Sequence, residues 1–314
     1  MLNIVYAFDE NYNKQAFVSI CSLIEKINVN CNIFIIHHKS STFETYKNKI
    51  EKTFKNVKID IQTFKKETIH FPNLESAHVS EATYYRLFFD KYVPTNIKNF
   101  LYLDADVICM NNPIDEIQNI FISMDEDGFE VAARKENSLD PNDIENRKII
   151  GVKNDYFNAG VLFVNYKKSI TNNTFNKLRK RLTEIEKNIK FWDQDVLNSF
   201  YNGKFLNLED SMNYDPNINH NNLSYDEPEK IFFLHYQGSN KPWTIHGIFL
   251  EYSDFYHNIY KKYGLGSYHI TSSWKKVTLI NFLISIVSLK FIKLSSPYKY
   301  ITSVISFLIT KKEN

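Results

Sequence analysis

The sequence predicts an α/β protein with a mainly parallel central sheet and a C-terminal helical tail. Three observations predict this class. Segments of strand length alternate with segments of helical periodicity over about the first two-thirds of the 314 residues, which is typical of βαβ units. Hydrophobic residues make up 43% of the chain and charged residues 24%, as in proteins with a buried core. Beyond residue 274 the sequence changes to apolar stretches flanked by lysines.

Each predicted element has a local signal. Apolar or alternating runs predict strands, and apolar side chains at every third or fourth position predict helices. Ser80 is a typical N-cap for the third helix. The predicted order is strand 2–8, helix 13–27, strand 32–38, helix 41–54, strand 56–64, helix 80–93 and an apolar strand that ends at Leu103.

Net charge, cysteine spacing and the N-terminal sequence indicate which partners and which cellular compartment to expect. A net charge of +2 gives no general attraction to nucleic acid, although residues 275–314 carry +6 and the rest therefore −4. The cysteines, Cys21, Cys31 and Cys109, lack the spacing of a disulfide framework or a metal site. The N-terminus lacks the pattern of a signal peptide. Both features predict a cytosolic protein.

Two carboxylates, Asp104 and Asp106, directly follow the apolar strand. Ligands of open α/β sheets bind beyond the carboxyl ends of the strands. Carboxylates this close repel each other unless a cation lies between them, and oxygen ligands suit Mg²⁺ or Mn²⁺. The pattern alone is weak, because Asp-x-Asp also occurs at 125/127 and 193/195. Surface acids at a strand end are the alternative interpretation.

A second apolar segment, residues 231–234, ends at His235, and Gly238 and Lys241 follow. An imidazole can complete a carboxylate metal site. An ammonium group can contact a phosphate oxygen. Taken singly, His235 would be interpreted as a structural histidine and Lys241 as a solvated lysine.

Six stretches, in this order, resemble glycosyltransferase family 8, whose members have the GT-A fold, a Rossmann-like nucleotide-sugar-binding domain. The resemblance covers about residues 1–265 and is closest to bacterial lipopolysaccharide and lipooligosaccharide α-galactosyl- and α-glucosyltransferases. The glycine-rich motifs of P-loop and dinucleotide-binding proteins are absent. The six stretches are YAFDENY (6–12), HVSEATYYRLFF (78–89), YLDADV (102–107), YFNAGVLFVN (156–165), WDQDVLN (192–198) and HYQGSNKPW (235–243).

The resemblance implies a UDP-sugar donor and Mn²⁺, with Mg²⁺ as the alternative, held by Asp104, Asp106 and His235. A divalent ion and Lys241 would neutralise the charge that develops on the departing UDP, and Gly238 would allow close backbone approach. The other donor-binding residues that it implies are Ala7, Asp9, Asn11 and Tyr12 at the uracil and ribose, Ala105 within the metal motif, and Arg86 at the sugar or diphosphate.

The resemblance also places residues around the transferred sugar. Asn158, Ala159 and Gly160 would surround it, and Asp193 would bind its hydroxyl groups, although acids are also common at helix N-termini. Gln194 would face the anomeric carbon. Family members retain anomeric configuration, and because an amide is a poor nucleophile, we expect the acceptor to attack from the side of the leaving group. Asp195 remains the alternative nucleophile.

One segment departs from the family pattern. Many relatives carry an aspartate after the strand that corresponds to residues 131–133, where this chain has Arg134, Lys135 and Glu136. An acidic or phosphorylated acceptor is one interpretation of this change. Two exposed basic residues without a specific ligand are the other.

The tail, residues 274–312, predicts two helices with lysines at their ends. In the first helix, Thr278, Asn281, Ser285 and Ser288 form a narrow polar stripe on an otherwise apolar surface. Each apolar run is shorter than the roughly 20 residues that span a bilayer. We therefore predict helices that lie at a membrane surface, with packing on the domain or on another subunit as the alternative.

The sequence thus predicts a catalytic domain, residues 1–265, and a basic amphipathic tail, residues 266–314, that attaches to the inner face of the cell membrane. The predicted function is retaining, metal-dependent transfer of galactose or glucose from a UDP-sugar to a cell-envelope glycan such as lipopolysaccharide, lipooligosaccharide or capsule. The alternatives are a non-catalytic sugar-nucleotide-binding scaffold and a nucleotidyltransferase. The latter should have a glycine-rich basic loop after the first strand, and residues 7–15 have none.

Overall fold

The computed structural model describes residues 1–66, 68–72, 74, 80–136, 140–218, 227–238, 241–250, 252–271 and 275–310. Two compact units divide the chain. Residues 1–214 and 227–234 form the first unit, and the remaining residues form the second. The predicted division between a catalytic domain and a tail at residue 265 concerns function and stays a prediction.

The central sheet lies entirely in the first unit. It has seven strands in the order β3-β2-β1-β4-β7-β6-β8, and β5 pairs with β9 separately. All neighbours in the large sheet are parallel, except that β7 runs antiparallel to β4 and β6. This confirms the predicted α/β class with a mainly parallel sheet. The strands are β1 Leu2–Phe8, β2 Cys31–His37, β3 Val57–Thr63, β4 Phe100–Leu103, β5 Val107–Cys109, β6 Val131–Ala133, β7 Val161–Val164, β8 Leu206–Asn207 and β9 Phe233–His235.

Helices cover the sheet, and the first of them buries the predicted apolar face, from Ala16 to Ile27. The large core cluster packs β1, β2, β4, β6 and β7 against the segment 81–93 and helices α7 and α8. The α-helices are α1 Asn13–Lys26, α2 Glu44–Thr53, α3 Phe89–Tyr92, α4 Ile114–Asp127, α5 Pro141–Ile149, α6 Tyr166–Thr171, α7 Thr174–Ile185, α8 Trp192–Tyr201, α9 Ser253–Lys262, α10 Lys275–Val287 and α11 Pro297–Ile309.

The helix predicted over residues 80–93 is mostly a 3₁₀ helix. Ser80 caps it as predicted, accepting a hydrogen bond from the Ala82 amide at 3.3 Å. The turn type of Glu81–Phe88 differs from the prediction, and α-helix follows only at Phe89–Tyr92. Side chains three residues apart eclipse in a 3₁₀ helix. Thr83 and Arg86 therefore point in one direction, and both contact the same aspartate, Asp193.

Several polar segments meet at one edge of the sheet. Because β1, β4 and β6 are mutually parallel, their carboxyl ends lie at the same edge, and Asp9, Asp104 and Arg134 follow them. The antiparallel strand β7 begins at this edge, just after Asn158. This is the edge at which open α/β sheets bind ligands.

The second unit contains the tail. Tyr300 and Val304 of α11 are fully buried in a small apolar cluster with Ile245, Ile248 and Tyr268. The two helices predicted in the tail correspond to α10 and α11, while residues 272–274 and 311–314 lie outside the described residues. Among the described helices, none is long and apolar enough to cross a membrane.

The predicted polar stripe is only partly buried, since Asn281 is half-buried and Ser288, just beyond α10, is exposed. Thr278 and Ser285 are buried, and the Ser285 hydroxyl lies 3.0 Å from the Tyr300 hydroxyl. The apolar side of the tail is correspondingly exposed. Its exposed side chains are Val277, Leu279, Ile280, Leu283, Ile284, Val287, Leu289, Ile292, Tyr298, Ile305 and Ile309.

Candidate functional site

Arg86 is the centre of a buried polar network in the first unit. Its guanidinium is 5% exposed and lies 4.6 Å from the centre of the Tyr102 ring. Nη2 donates to Asp104 Oδ1 at 2.9 Å, and Nη1 donates to the Ala159 carbonyl. The Tyr102 hydroxyl donates to the same Asp104 oxygen at 2.6 Å. Arg86 thus fixes the first aspartate of the predicted metal pair and joins it to the segment before β7.

The second acidic partner of Arg86 is Asp193, at the start of α8. Arg86 Nε lies 2.8 Å from Asp193 Oδ2. Nε donates its hydrogen to the Thr83 carbonyl, so the contact with Asp193 is electrostatic rather than an aligned hydrogen bond. Asp193 Oδ1 accepts from the Thr83 hydroxyl. Burial raises the pKa of Asp193 to about 6, although Arg86 and Thr83 act to lower it.

The predicted metal ligands lie together. Asp104, Asp106 and His235 each offer a ligand atom, and these atoms lie within 4.8 Å of one another. β4 ends one residue before Asp104, β5 begins just after Asp106, and β9, which pairs with β5, ends at His235. Ligands on opposite sides of one hard divalent ion, with bonds of about 2.0–2.6 Å from Mg²⁺ to Ca²⁺, lie about 4.0–5.2 Å apart. The donor set, two carboxylates and an imidazole, therefore fits a divalent cation such as Mg²⁺ or Mn²⁺.

Gln194 is held from both ends of its amide. Oε1 accepts from the Ala159 amide at 3.0 Å, and Nε2 donates to Glu136 Oε2 at 2.9 Å. A carboxylate only accepts hydrogen bonds, so the contact with Glu136 fixes which end of the amide is nitrogen. The amide oxygen of Gln194 consequently faces the turn at Ala159 and Gly160.

Asp195, the neighbouring candidate, is 0% exposed and saturated with donors. Oδ1 accepts from the Tyr156 hydroxyl at 2.7 Å. Oδ2 accepts from the backbone amides of Lys190 and Phe191 at 2.8 and 2.9 Å. These contacts fasten the loop before α8 to the start of the helix.

The Asn158–Gly160 turn is built from small and buried residues. Asn158 Oδ1 accepts from the Gly160 amide at 3.0 Å and from the side-chain amide of Asn213 at 3.0 Å. The Gly160 carbonyl accepts from the Asp104 amide at 2.8 Å. Ala105 is buried beside this contact. The predicted sugar-binding turn is thus hydrogen-bonded directly to the aspartate motif.

The remaining predicted residues are placed separately. Ala7 and Asp9 are buried at the end of β1, and Asp9 accepts hydrogen bonds from the backbone and side chain of Asn11. Asn11 is exposed, and Tyr12 is half-buried. In the second unit, Gly238 has φ +64°, with open space where a Cβ would lie, and Lys241 donates to the Tyr236 carbonyl. The roles predicted for these residues stay predictions.

Sequence reasoning did not find several residues of this site. Thr83, Tyr102 and Tyr156 place their hydroxyl groups on Asp193, Asp104 and Asp195. The two tyrosines begin the motifs at 102–107 and 156–165, but only the first motif is acidic, so the sequence offered a signal for Tyr102 alone.

Comparison with known proteins agrees with this geometry. A family model described as glycosyl transferase family 8 matches residues 3–246. A putative glycosyltransferase of Haemophilus influenzae is 29% identical over 248 residues, which cover 77% of this chain and 73% of the relative. The lipopolysaccharide 1,2-glucosyltransferase of Escherichia coli strain K12 is 27% identical over 257 residues, which cover 77% of this chain and 72% of the relative.

Solved structures share the fold. The galactosyltransferase LgtC, in complex with donor and acceptor sugar analogues, has a TM-score of 0.65 at 19% identity, over 88% of this chain and 100% of that chain. An active-site mutant of LgtC has a TM-score of 0.66 at 20% identity, over 83% and 96% of the two chains. At this identity the likeness establishes the fold, which is the GT-A-type arrangement predicted from the sequence.

Proposed function

The chain belongs to glycosyl transferase family 8, and on that premise we propose that it transfers galactose or glucose from a UDP-sugar to a glycan of the cell envelope. The observation that carries the proposal is the contact of Arg86 with Asp104, Ala159 and Asp193. The buried guanidinium of Arg86 thereby joins the metal motif, the turn Asn158–Gly160 and the start of α8. A fold alone would not require these three segments to share a partner.

Asp104, Asp106 and His235 would hold Mn²⁺, with Mg²⁺ as the alternative. When bound, the ion supplies charge neutralisation for the diphosphate leaving group. Lys241 adds a second positive charge in the proposed mode of binding. At the end of β1, Ala7 and Asp9, with Asn11 and Tyr12, would bind the uridine. Gly238 would admit the diphosphate close to the backbone.

The sugar would lie against Asn158, Ala159 and Gly160, with Asp193 at its hydroxyl groups. Gln194 presents its amide oxygen toward that turn and has no ionised form that could act as a nucleophile. We therefore assign Gln194 to stabilise positive charge at the anomeric carbon while the bond to UDP breaks and the acceptor hydroxyl attacks from the same side. A phosphate oxygen of the departing UDP would take the proton of that hydroxyl. This route retains configuration. Because both oxygens of Asp195 accept strong hydrogen bonds, we assign Asp195 a positioning role.

The names of the relatives support a proposal about the acceptor class. Those found in Escherichia coli and Salmonella typhimurium are named lipopolysaccharide glucosyl- and galactosyltransferases. We propose an acceptor of the same kind, a lipid-linked glycan such as lipopolysaccharide, lipooligosaccharide or capsule. It would be met at the inner face of the cell membrane.

UDP release from a panel of UDP-sugars, each with Mn²⁺ and with EDTA, tests the function. We expect metal-dependent release from UDP-galactose or UDP-glucose, and little from the other donors. Release that EDTA leaves unchanged would contradict the metal assignment. UDP binding without turnover of any donor, with every lipopolysaccharide acceptor tried, would favour a non-catalytic scaffold.

We further propose that the tail lies on the membrane surface. The exposed apolar side of α10 and α11 is bordered by Lys276, Lys290, Lys293 and Lys299, all of them exposed. Apolar side chains flanked by lysines suit an interface of acyl chains and anionic headgroups. The burial of Thr278 and Ser285 supports this proposal for α10, because the side of that helix left exposed is largely apolar.

Leu283→Glu combined with Val287→Glu tests the tail. We expect binding to vesicles that contain anionic lipid to weaken at least about 100-fold, since two exposed aliphatic side chains that would enter the membrane interface are lost and two repelling charges are gained. The matched control is Ile122→Glu with Ile149→Glu, which changes similarly exposed apolar residues of the first unit. Equal vesicle binding by both double variants would contradict the proposal. Deletion of the tail is a less suitable test, because it removes the buried Tyr300 and Val304 from the small apolar cluster of the second unit.

A further inference from the structure

Arg134 carries a buried guanidinium at the sheet edge that forms the candidate site. Its side chain follows β6 and is 3% exposed. Nη1 donates to the Lys135 carbonyl at 3.1 Å and lies 4.0 Å from Asp210 Oδ1. Nε and Nη2 are both buried and have no hydrogen-bond partner among the residues that the structure describes. Of the two interpretations offered by the sequence, the one in which Arg134 is an exposed basic residue is therefore wrong.

The two unpaired atoms lie on one side of the guanidinium. Nε–H and the nearer Nη2–H of an arginine are roughly parallel, and together they match the two oxygens of a carboxylate or a phosphate. Buried donors without partners destabilise a folded protein, so they are rare unless a ligand satisfies them. Asp210, near Nη1, partly balances the charge but leaves this pair of donors unused. The geometry therefore suits an anionic ligand with two oxygens.

The position of Arg134 indicates which part of the substrate it meets. Its carbonyl accepts from the Asn158 amide at 3.0 Å, and Glu136, two residues later, accepts from Gln194. Arg134 thus belongs to the segment that surrounds the proposed sugar position. The strand before it, β6, is two strands away from β4, which places the two strand ends about 10 Å apart. Arg134 is therefore well placed to contact a group beyond the diphosphate that Asp104 and Asp106 would serve.

We propose that Arg134 binds a carboxylate or phosphate group carried by the acceptor glycan, an inference that rests on the proposed function. The donor's own negative charge, its diphosphate, is assigned to the end of β4. The anion at Arg134 is then a substituent of the second substrate. The chain would select acceptors that carry an acidic sugar or a phosphorylated sugar next to the hydroxyl group that is glycosylated.

Binding of three sugars tests the proposal, with dissociation constants measured by ligand-observed NMR on the full chain loaded with UDP and the diamagnetic ion Mg²⁺. The sugars are glucose, glucuronate and glucose 6-phosphate. We expect at least one charged sugar to bind more tightly than glucose, and Arg134→Gln to reduce this preference roughly 10- to 100-fold. Which charged sugar is preferred distinguishes a carboxylate from a phosphate. An equal preference in the native protein and the variant would overturn the proposal.

Two matched variants separate the pair of donors from charge alone. Lys135→Gln removes a neighbouring positive charge that is paired with Asp155, and we expect it to keep the preference. Arg134→Lys keeps the charge but loses the parallel donors, and we expect most of the preference to disappear. If Lys135→Gln reduces the preference as much as Arg134→Gln, the effect is one of local charge and the proposal is wrong.

A second binding experiment, with donor sugars, tests whether the anion at Arg134 belongs to the acceptor. UDP-glucose and UDP-glucuronate are compared for binding to the native protein and to Arg134→Gln. We expect the variant to bind both with unchanged affinity. A loss confined to UDP-glucuronate would place the anion on the donor and overturn the acceptor assignment. Because UDP binding is measured in the same samples, failure of the proposed function appears as loss of UDP binding in the native protein, whereas failure of this inference does not.

Loss of folding is checked with Arg134→Met. This variant replaces the guanidinium by an apolar side chain, so no unpaired donor remains. We expect its Tm to equal or exceed that of the native protein while the preference for charged sugars is lost. A lower Tm together with an unchanged preference would assign Arg134 to the stability of the fold and overturn the proposal.

Discussion

Asp106→Ala is expected to lower metal-dependent UDP release about 1,000-fold while the protein remains folded. The variant removes one of three proposed ligands, and the lost charge neutralisation at the leaving group acts directly on the transition state. Asp106 is half-buried in the turn between β4 and β5, and its neighbour Asp104 keeps the backbone contacts of that turn. The fold should therefore tolerate an alanine. UDP release measures the effect, and circular dichroism with Tm checks the fold.

Asp127→Ala is the control for Asp106→Ala. It changes an exposed aspartate of another Asp-x-Asp sequence, at the end of α4, by the same substitution. We expect the control to keep full activity and Mn²⁺ affinity. Near-native turnover by Asp106→Ala, or an equal loss in the control, would exclude the metal assignment.

The sequence was sufficient for the features that depend on residue type and position along one strand. The apolar β4 followed by two aspartates predicted that both carboxylates lie at the ligand-binding edge of the sheet, because parallel strands place their carboxyl ends together. It was insufficient where contacts join distant segments. Thr83 and Asp193 are 110 residues apart in the sequence. No local pattern indicates that Thr83 and Arg86 both contact Asp193.

Local periodicity was also insufficient where tertiary contacts decide the geometry. The 3₁₀ helix Glu81–Phe88 brings Thr83 and Arg86 to one side. Helical propensity, read from the sequence, does not distinguish this geometry from an α-helix. In the tail, the sequence predicted the first helix but does not indicate which of its side chains are buried. Thr278 and Ser285 turn inward, a choice that depends on Tyr300 and the cluster beneath it.

Arg86→Met is expected to lower the free energy of unfolding by about 3–5 kcal/mol at pH 8, measured by urea denaturation. Removing one partner of a buried ion pair leaves the other charge without compensation. Here Asp193 is 2% exposed and loses its positive partner, and Asp104 loses one hydrogen bond. The control is Arg181→Met, which removes a half-buried arginine that is bonded to the Ile150 carbonyl and to Ser199 at a distance from the site. An equal loss of unfolding free energy in both variants would show that the Arg86 network stabilises the fold no more than an ordinary half-buried arginine does.

The pH dependence and a double variant identify the source of that loss. The pKa of Asp193 is about 6 in the folded protein and about 3.9 when unfolded, so burying its charge destabilises the fold progressively from pH 4 to pH 6 and fully above pH 6. At pH 4 Asp193 is protonated and needs no cation, so Arg86→Met should cost less there than at pH 8. Adding Asp193→Asn should restore part of the stability at pH 8. It should not restore UDP release, because Asp104 still lacks the guanidinium that orients it and the sugar loses the carboxylate proposed to bind its hydroxyl groups. Restored activity would show that Arg86 serves stability alone.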